Sequence, residues 1–400
     1  MNRRVYLSLF VTIMATALGA SLVVPLLPVY AQELGAGGLE LGLIFSAFAF
    51  ARTVFLPLVG RLADTWGRRN FMLWGLFSYT VVSFGFSFSR QAVHLVLCRL
   101  FQGAGAAMVI PLARAYVGEM APPGEEGRVM GHFNMAFFAG LSLGPWLGGV
   151  LKDILGIDFA FYAMGGLALF GLVLAWANLP HSRRVAPEME TRPRGSYAGL
   201  LRHRGLLALL IFRFGIIIGL GMNWTFMPLF SDNLLHLSAG QIGILISLNV
   251  VMTTLLQPWF GRWSDRVSRS GLTAIGGVMA SLSLMGVPFC GSFWQLFGVN
   301  LAAGVASGVY MPPLMAMAVR FGRETGGMTQ VMSLLEMSFS LGMVIGPIMA
   351  GLINQSYGLR PIFWAGGGLG LLATLAFFYL AAWGGSWGPG SPQGTLKNDS

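Results

Sequence analysis

Twelve apolar runs, each long enough to cross a lipid bilayer, occupy most of this 400-residue chain. A helix needs roughly 20 apolar residues to span the hydrocarbon core. The runs lie at about 6–32, 40–62, 71–89, 92–118, 128–151, 159–179, 205–230, 238–261, 271–290, 293–318, 328–353 and 359–383. In lipid only helices and closed barrels satisfy every backbone N–H and C=O, and these runs far exceed a barrel strand. Composition agrees: 55% of residues are hydrophobic and 10% are charged, against about 25% charged in a soluble domain. The pattern predicts an all-α integral membrane protein with twelve transmembrane helices.

The first run follows a basic start, "MNRR", and passes an Ala-rich stretch, as a signal peptide would. It continues past Ala20 to about Tyr30, and eleven more runs follow. It is read as the first span, retained.

The net charge of +10 suggests nucleic acid, but the arginines sit in short clusters between apolar runs rather than on one basic face. Arg3, Arg4, Arg68, Arg69, Arg128, Arg183, Arg184, Arg192, Arg194, Arg202, Arg204, Arg266, Arg269 and Arg323 lie in the N-terminal segment or the even-numbered loops. The odd-numbered loops offer Arg90, Lys152 and Arg360. Positive charge stays on the cytoplasmic side. Both termini and the even loops are therefore expected in the cytoplasm, with the chain in a bacterial-type cytoplasmic (inner) membrane and no nucleic-acid partner. Cys98 and Cys290 fall in apolar runs and read as small buried residues, not a disulfide or metal framework.

The longest loop, His181 to Arg204, is polar, Arg-rich and Pro-containing. It divides the chain into a six-helix bundle at 1–180, a cytoplasmic linker at 181–204 and a second bundle at 205–384. The Gly/Pro/Ser-rich tail at 385–400 reads as disordered. The halves repeat. "GRLADTWGRR" at Gly60 recurs as "GRWSDRVSRS" at Gly261, an offset of 201 shared by Pro111 and Pro312. "GLSLGPWLGG" at Gly140 recurs as "GMVIGPIMAG" at Gly342, an offset of 202. Such duplication is the arrangement that transporters use to alternate access around a central site.

Three motifs carry more. After the second span come Gly60, Asp64, Gly67, Arg68 and Arg69, with Asp265 as the repeat of the acid. The fourth span holds Arg99, Gln102, Gly103 and Ala106, on one face by their i, i+3, i+4, i+7 spacing. The fifth holds Gly140, Gly144, Pro145, Gly148 and Gly149 after Gly131. Glycines four apart give a flat face for close helix packing, and a proline bends the helix. The chain resembles the major facilitator superfamily over nearly its whole length. The first motif follows that family's G-x-x-x-D-R-x-G-R-R/K, departing at Thr65. The second follows R-x-x-Q-G-x-G-x-A, and the third resembles the fifth-helix motif of the antiporter branch. The resemblance implies two pseudo-symmetric six-helix bundles. It implies a gate in which Asp64 meets the N-terminus of the eleventh helix near Met328, with Glu119 as a partner for Arg68 and Arg69.

Inside the spans the reading singles out Arg52, Arg213 and Glu336. Intramembrane ionisable groups are functional candidates by default; the alternative is an Arg–Glu pair that fixes packing. Glu336 stands alone among fifteen acidic residues as one well inside a span. It is the candidate proton-coupling group, with Arg99. Arg52 and Arg213 suit an anionic group of the substrate. Asn249, Thr253 and Gln257 form a stripe, and Thr253 is the repeat counterpart of Arg52. With Gln102, Met332, Phe339 and Met343 they are the candidate cavity lining.

No phosphate loop, Cys/His cluster or nucleophile–base pair is present in the sequence, so neither an enzyme nor a resident metal or cofactor is expected. The resemblance implies a secondary transporter, expected as a monomer among membrane lipids and driven by the proton gradient. The first reading is proton-coupled export, by antiport, of a small amphipathic compound or drug, anionic or zwitterionic, as in multidrug resistance. Export of a lipid-like, siderophore-like or metabolite anion is the alternative, with proton symport importing an organic anion behind it. A receptor or scaffold on a transporter fold is the reading of a different class.

Overall fold

The computed structural model describes residues 3–120, 126–180, 200–201, 203–264, 266–325 and 328–383. The linker expected at 181–204 therefore lies mostly outside the described residues, and the tail at 385–400 wholly so. Among the described residues there are helices, turns and no strand.

The first span is broken: Arg3–Leu22 and Leu27–Glu33 flank a turn at 23–26 that holds Pro25, and Pro28 lies in the first turn of the second segment. The others run Gly38–Trp66, Arg68–Ser87, Ala92–Met120, Glu126–Leu155, Ile157–Asn178, Arg204–Leu235, Ala239–Ser264, Arg269–Gly286, Phe293–Glu324, Met328–Tyr357 and Arg360–Trp383. Eleven are long and apolar enough to cross a membrane. The third, Arg68–Ser87, opens on Arg68, Arg69 and Asn70 and is less apolar; its place in the bundle makes it the twelfth. Several helices run past the apolar stretch, so the second ends at Trp66 rather than near 62. An apolar run marks the lipid-buried part of a helix, and the backbone continues into the interface.

Large side chains face outward throughout: Trp74, Trp176, Trp259 and Leu372 are all strongly exposed. In water this surface would aggregate; in lipid it is the solvated face. Hydroxyls inside the spans are satisfied locally. Thr16, Thr53, Thr80, Thr225 and Thr254 each donate to the carbonyl four residues back. Pro57, Pro111, Pro145, Pro228, Pro258, Pro312, Pro313 and Pro347 all lie within helices.

The twofold repeat is visible in the packing. The fifth span lies against the first of its own bundle and the eighth of the other; the eleventh lies against the seventh and the second. Gly156 and Gly358, equivalent by the repeat, turn the chain between spans five and six and spans eleven and twelve with φ 87° and 81°, a conformation that a Cβ disfavours.

The core shows where the bundles meet. At the end away from Arg3 and Trp383, one cluster joins Leu22, Leu41 and Ile44 to Ile218, Met222, Phe226 and Ile242. At the end that carries the termini the core divides. Leu9, Met72, Leu112 and Phe133 belong to one cluster, and Leu209, Phe212, Leu314 and Leu335 to another. The bundles are thus joined at the far end and separated by a cleft at the termini end.

Candidate functional site

Close approach at the far end depends on small residues. Added to Gly140, Gly144 or Gly148, a Cβ would run into Leu18, Ser21 or Leu22 of the first span. One added to Gly149 would meet the carbonyl of Ala239 in the opposite bundle, and one on Gly243 would meet that of Pro145. The repeat does the same: Gly342 and Gly346 pack on Ile217 and Ile218, and Gly42 on the Pro347 carbonyl. The glycine-rich fifth span is therefore a two-sided seam, with one face inside its bundle and one across to the other. Gly131 lies outside the residues whose side chains are described.

Polar contacts lock the same end. The Asp153 carboxylate accepts from the N–H of Ala239 (3.1 Å) and of Gly240 (2.8 Å), at the N-terminus of the eighth span. Asn233 donates to Gln32 (3.1 Å), and Ser46 to the Val344 carbonyl (2.6 Å).

The charged side chains lie deeper. Arg213 is buried. Its Nε donates to the Leu335 carbonyl (3.0 Å), its Nη2 stands 3.4 Å from Glu336 Oε1, and its guanidinium lies 5.5 Å from the Phe339 ring centre. Glu336 is thus not a lone carboxylate, as expected, but half of an ion pair. The pair is lopsided: the Arg213 side chain is 5% exposed and that of Glu336 64%. A guanidinium inside a bundle is held where carbonyl and carboxylate both reach it, because its desolvation is otherwise uncompensated. Arg213 consequently does not present a free fork to a ligand.

On the N-terminal side Arg99 donates to Gln102 (2.8 Å) and to the Ile44 carbonyl (3.4 Å). It stacks 4.5 Å from the Phe48 ring centre and 5.3 Å from that of Phe45. Gln102 is buried and donates to Met164 Sδ (3.6 Å). These contacts stay within the N-terminal bundle, so Arg99 and Glu336, the two residues assigned to proton coupling, make these contacts in different bundles. Arg52 is half-buried, and its Nε has no hydrogen-bond partner. Arg114, which the sequence reading passed over, is exposed and within electrostatic range of both Arg52 and Glu336. It lies inside the predicted fourth span and meets the criterion that singled out Arg52.

Arg114 of one bundle therefore lies within electrostatic range of the Glu336 carboxylate of the other, and of Arg52 on its own side. Of the remaining expected lining, Phe339 covers Arg213 and Met332 packs against the C-terminal core. Met343 and Gln257 are half-buried. Thr253 does not present its hydroxyl to the cleft: it donates to the carbonyls of Asn249 (2.8 Å) and Gly304 (3.2 Å), because a hydroxyl at a helix crossing takes the nearest main-chain acceptor. Asn249 lines a cavity inside the C-terminal bundle.

A family model described as Major Facilitator Superfamily matches residues 9–234 and 209–395, together nearly the whole chain. The chain belongs to the major facilitator superfamily. An uncharacterised MFS-type transporter of Methanocaldococcus jannaschii is 28% identical over 360 residues, covering 89% of this chain and 92% of that protein. The quinolone resistance protein NorA of Staphylococcus aureus is 24% identical over 367 residues, covering 91% and 93%. Among solved structures, a bacterial homologue of the human lysosomal transporter Spinster, inward-facing and occupied, superposes with a TM-score of 0.81 at 14% identity over 94% of this chain and 96% of that one.

The superfamily's gate motif is only partly described here. The side chains of Gly60, Asp64 and Glu119, and all of Asp265, lie outside the described residues. Gly67 breaks the chain between spans two and three with φ 95°, and Arg69 Nη2 donates to the Trp176 carbonyl on the sixth span (2.7 Å). As a superfamily member the chain is a multi-pass membrane protein of a transporter family. Cys98 is partly buried and Cys290 buried, both as free thiols.

Proposed function

We propose that this protein is a proton-coupled exporter of a small amphipathic compound that carries a negative group and a hydrogen-bond donor. It would sit in a bacterial-type cytoplasmic membrane with both termini inside, which makes the cleft open to the cytoplasm. The arginine asymmetry of the loops and the likeness to NorA over 91% of the chain support that orientation and direction.

The observation that carries the reading is that exposed Arg114 lies within electrostatic range of Glu336 of the other bundle and of Arg52 on its own side. Guanidinium groups stay charged and grip carboxylates in two-pronged fashion. The negative group of the compound belongs on Arg52 and Arg114. Its donor belongs on the exposed edge of Glu336, the edge that Arg213 leaves open. A proton on Glu336 removes its charge and turns one oxygen into a donor, which weakens its hold on the compound's donor, so proton and compound compete. Competition at one site, combined with alternating access, yields exchange.

A second reading follows from the same charges. A simple organic anion without a donor would compete with Glu336 for Arg114. Protonating Glu336 would then release Arg114 to the anion, proton and ligand would bind together, and the cycle would be symport.

Proteoliposomes separate the readings, with a quinolone as the first probe because of the relative's name. Exchange predicts accumulation when the lumen is acidic, and symport predicts it when the outside is acidic. Binding with no flux under either gradient would overturn both and favour a receptor on this fold.

A further inference from the structure

A cavity of about 60 Å³ lies inside the C-terminal bundle, among spans seven, eight, nine, ten and twelve. A water needs ~10–15 Å³ on this measure, so there is room for about four water-sized groups. Its polar lining comprises Asn223, Asn249, Ser281, Ser283, Asn300 and Ser307, with Tyr310 beside them. No charged side chain lines it.

The internal repeat explains why the space exists. At the offset of 201, Phe48, Tyr79 and Arg99 correspond to Asn249, Ala280 and Asn300. At the later offset of 202, Met164 corresponds to Gly366. All four C-terminal counterparts line the cavity. In the N-terminal bundle the equivalent volume holds the Arg99 guanidinium, stacked on Phe48 and bonded to Gln102 and Ile44. The C-terminal bundle has lost that bulk and that charge together.

The chemistry left behind is neutral and includes free acceptors. Ser281 and Ser283 donate their hydroxyl protons to the carbonyls of Gly277 (2.8 Å) and Met279 (2.8 Å). Asn300 donates its amide N–H to the Leu296 carbonyl (2.9 Å). Each therefore has oxygen lone pairs left for the cavity. The carbonyl oxygen of Asn223 is buried without any partner. Buried polar atoms are ordinarily hydrogen-bonded, and the open oxygens of Asn223, Ser281, Ser283 and Asn300 call for a ligand that brings several N–H donors. Arg213, which acts electrostatically on Tyr310, already shares its charge with Glu336.

We propose that this cavity is a binding site for a small planar organic cation of the guanidinium class, seated where the N-terminal bundle carries its own Arg99. The group can come from a free cation or from the basic arm of a transported compound; the chemistry recognised is the same. The site is distinct from the Arg52–Arg114 locus and stands or falls without the export reading.

The test is thermal unfolding of the purified full chain with millimolar methylguanidinium alone, without any transport step. Methylguanidinium is expected to raise the Tm, as any ligand of the folded state does. Tetramethylammonium, which has no N–H donor, is expected not to. Asn300→Asp, which adds a charged acceptor, should tighten methylguanidinium binding about tenfold. Ala280→Tyr, which restores the bulk of Tyr79, should abolish it. Absence of a shift in the wild type, an equal shift with tetramethylammonium, or binding unaltered in Asn300→Asp overturns the proposal. To separate the two sources, a transported quinolone is added in competition: displacement of methylguanidinium assigns the site to the compound's basic arm, and additive binding assigns it to a free cation.

Discussion

Asp153 offers the sharpest test of how the far end closes. Both carboxylate oxygens accept backbone N–H groups at the N-terminus of the eighth span, at 3.1 and 2.8 Å. A carboxylate bound to a helix N-terminus is favoured by the hydrogen bonds and by the helix dipole. Buried charge-assisted bonds contribute about 1.5–3 kcal/mol, but Asp153 is exposed. Loss of an exposed N-cap, at ~0.5–2 kcal/mol, is the nearer guide. The donors belong to the other bundle, so these bonds exist only while the far end is shut. Their loss therefore acts on the closed–open equilibrium rather than on both states equally. Removing ~1–2 kcal/mol shifts the ratio of far-end-closed to far-end-open molecules by about 5- to 30-fold. Asp153→Ala should show the full shift, and Asp153→Asn, which keeps one acceptor and loses the charge, an intermediate one. Glu33→Gln should change little, because its pairing with Lys152 (3.6 Å) is half-exposed and lies within one bundle. Electron–electron resonance between labels at Gln91→Cys and Ser292→Cys, with Cys98 and Cys290 replaced by Ser, reads the distance populations. Unchanged populations in Asp153→Ala, or an equal change in Glu33→Gln, would refute the latch.

Gly148→Ala should lower the Tm in detergent, since overpacking against the Leu22 backbone costs ~1–3 kcal/mol. Gly166→Ala, where nothing lies within 4 Å of an added Cβ, should be neutral or stabilising. Arg52→Gln and Arg114→Gln should each weaken an anionic ligand more than its neutral analogue, by about tenfold for a lost charge-assisted bond; equal losses for both ligands, measured by thermal shift, would give these arginines a structural role. Glu336→Gln, which mimics the protonated acid, should weaken binding of the compound and lose accumulation driven by a pH gradient, and uphill transport at the wild-type rate in proteoliposomes would remove it as the coupling group.

The sequence by itself determined the spans, the twofold repeat and the family. The reason is that lipid leaves the backbone one economical solution, and apolar length reports it directly. The fifth-span glycines were legible for the same reason: only a side chain of one hydrogen admits another backbone that closely. The partners of the charged residues were not legible. Glu336 looked solitary because Arg213, more than a hundred residues away, meets it only when the seventh and eleventh spans pack together. Arg99 matched a motif for coupling, yet the bundle encloses it with Phe45, Phe48 and Gln102. Asp153, beside Lys152 at the end of the fifth span, reads as an ordinary loop charge until the eighth span places two N–H groups in front of it. The C-terminal cavity arises only by subtraction, from side chains in spans eight, nine, ten and twelve that are each shorter than their counterparts. Periodicity and motif record what each helix offers along its own length. Pairing, burial and empty volume depend on which helices are neighbours, and only the tertiary structure decides that.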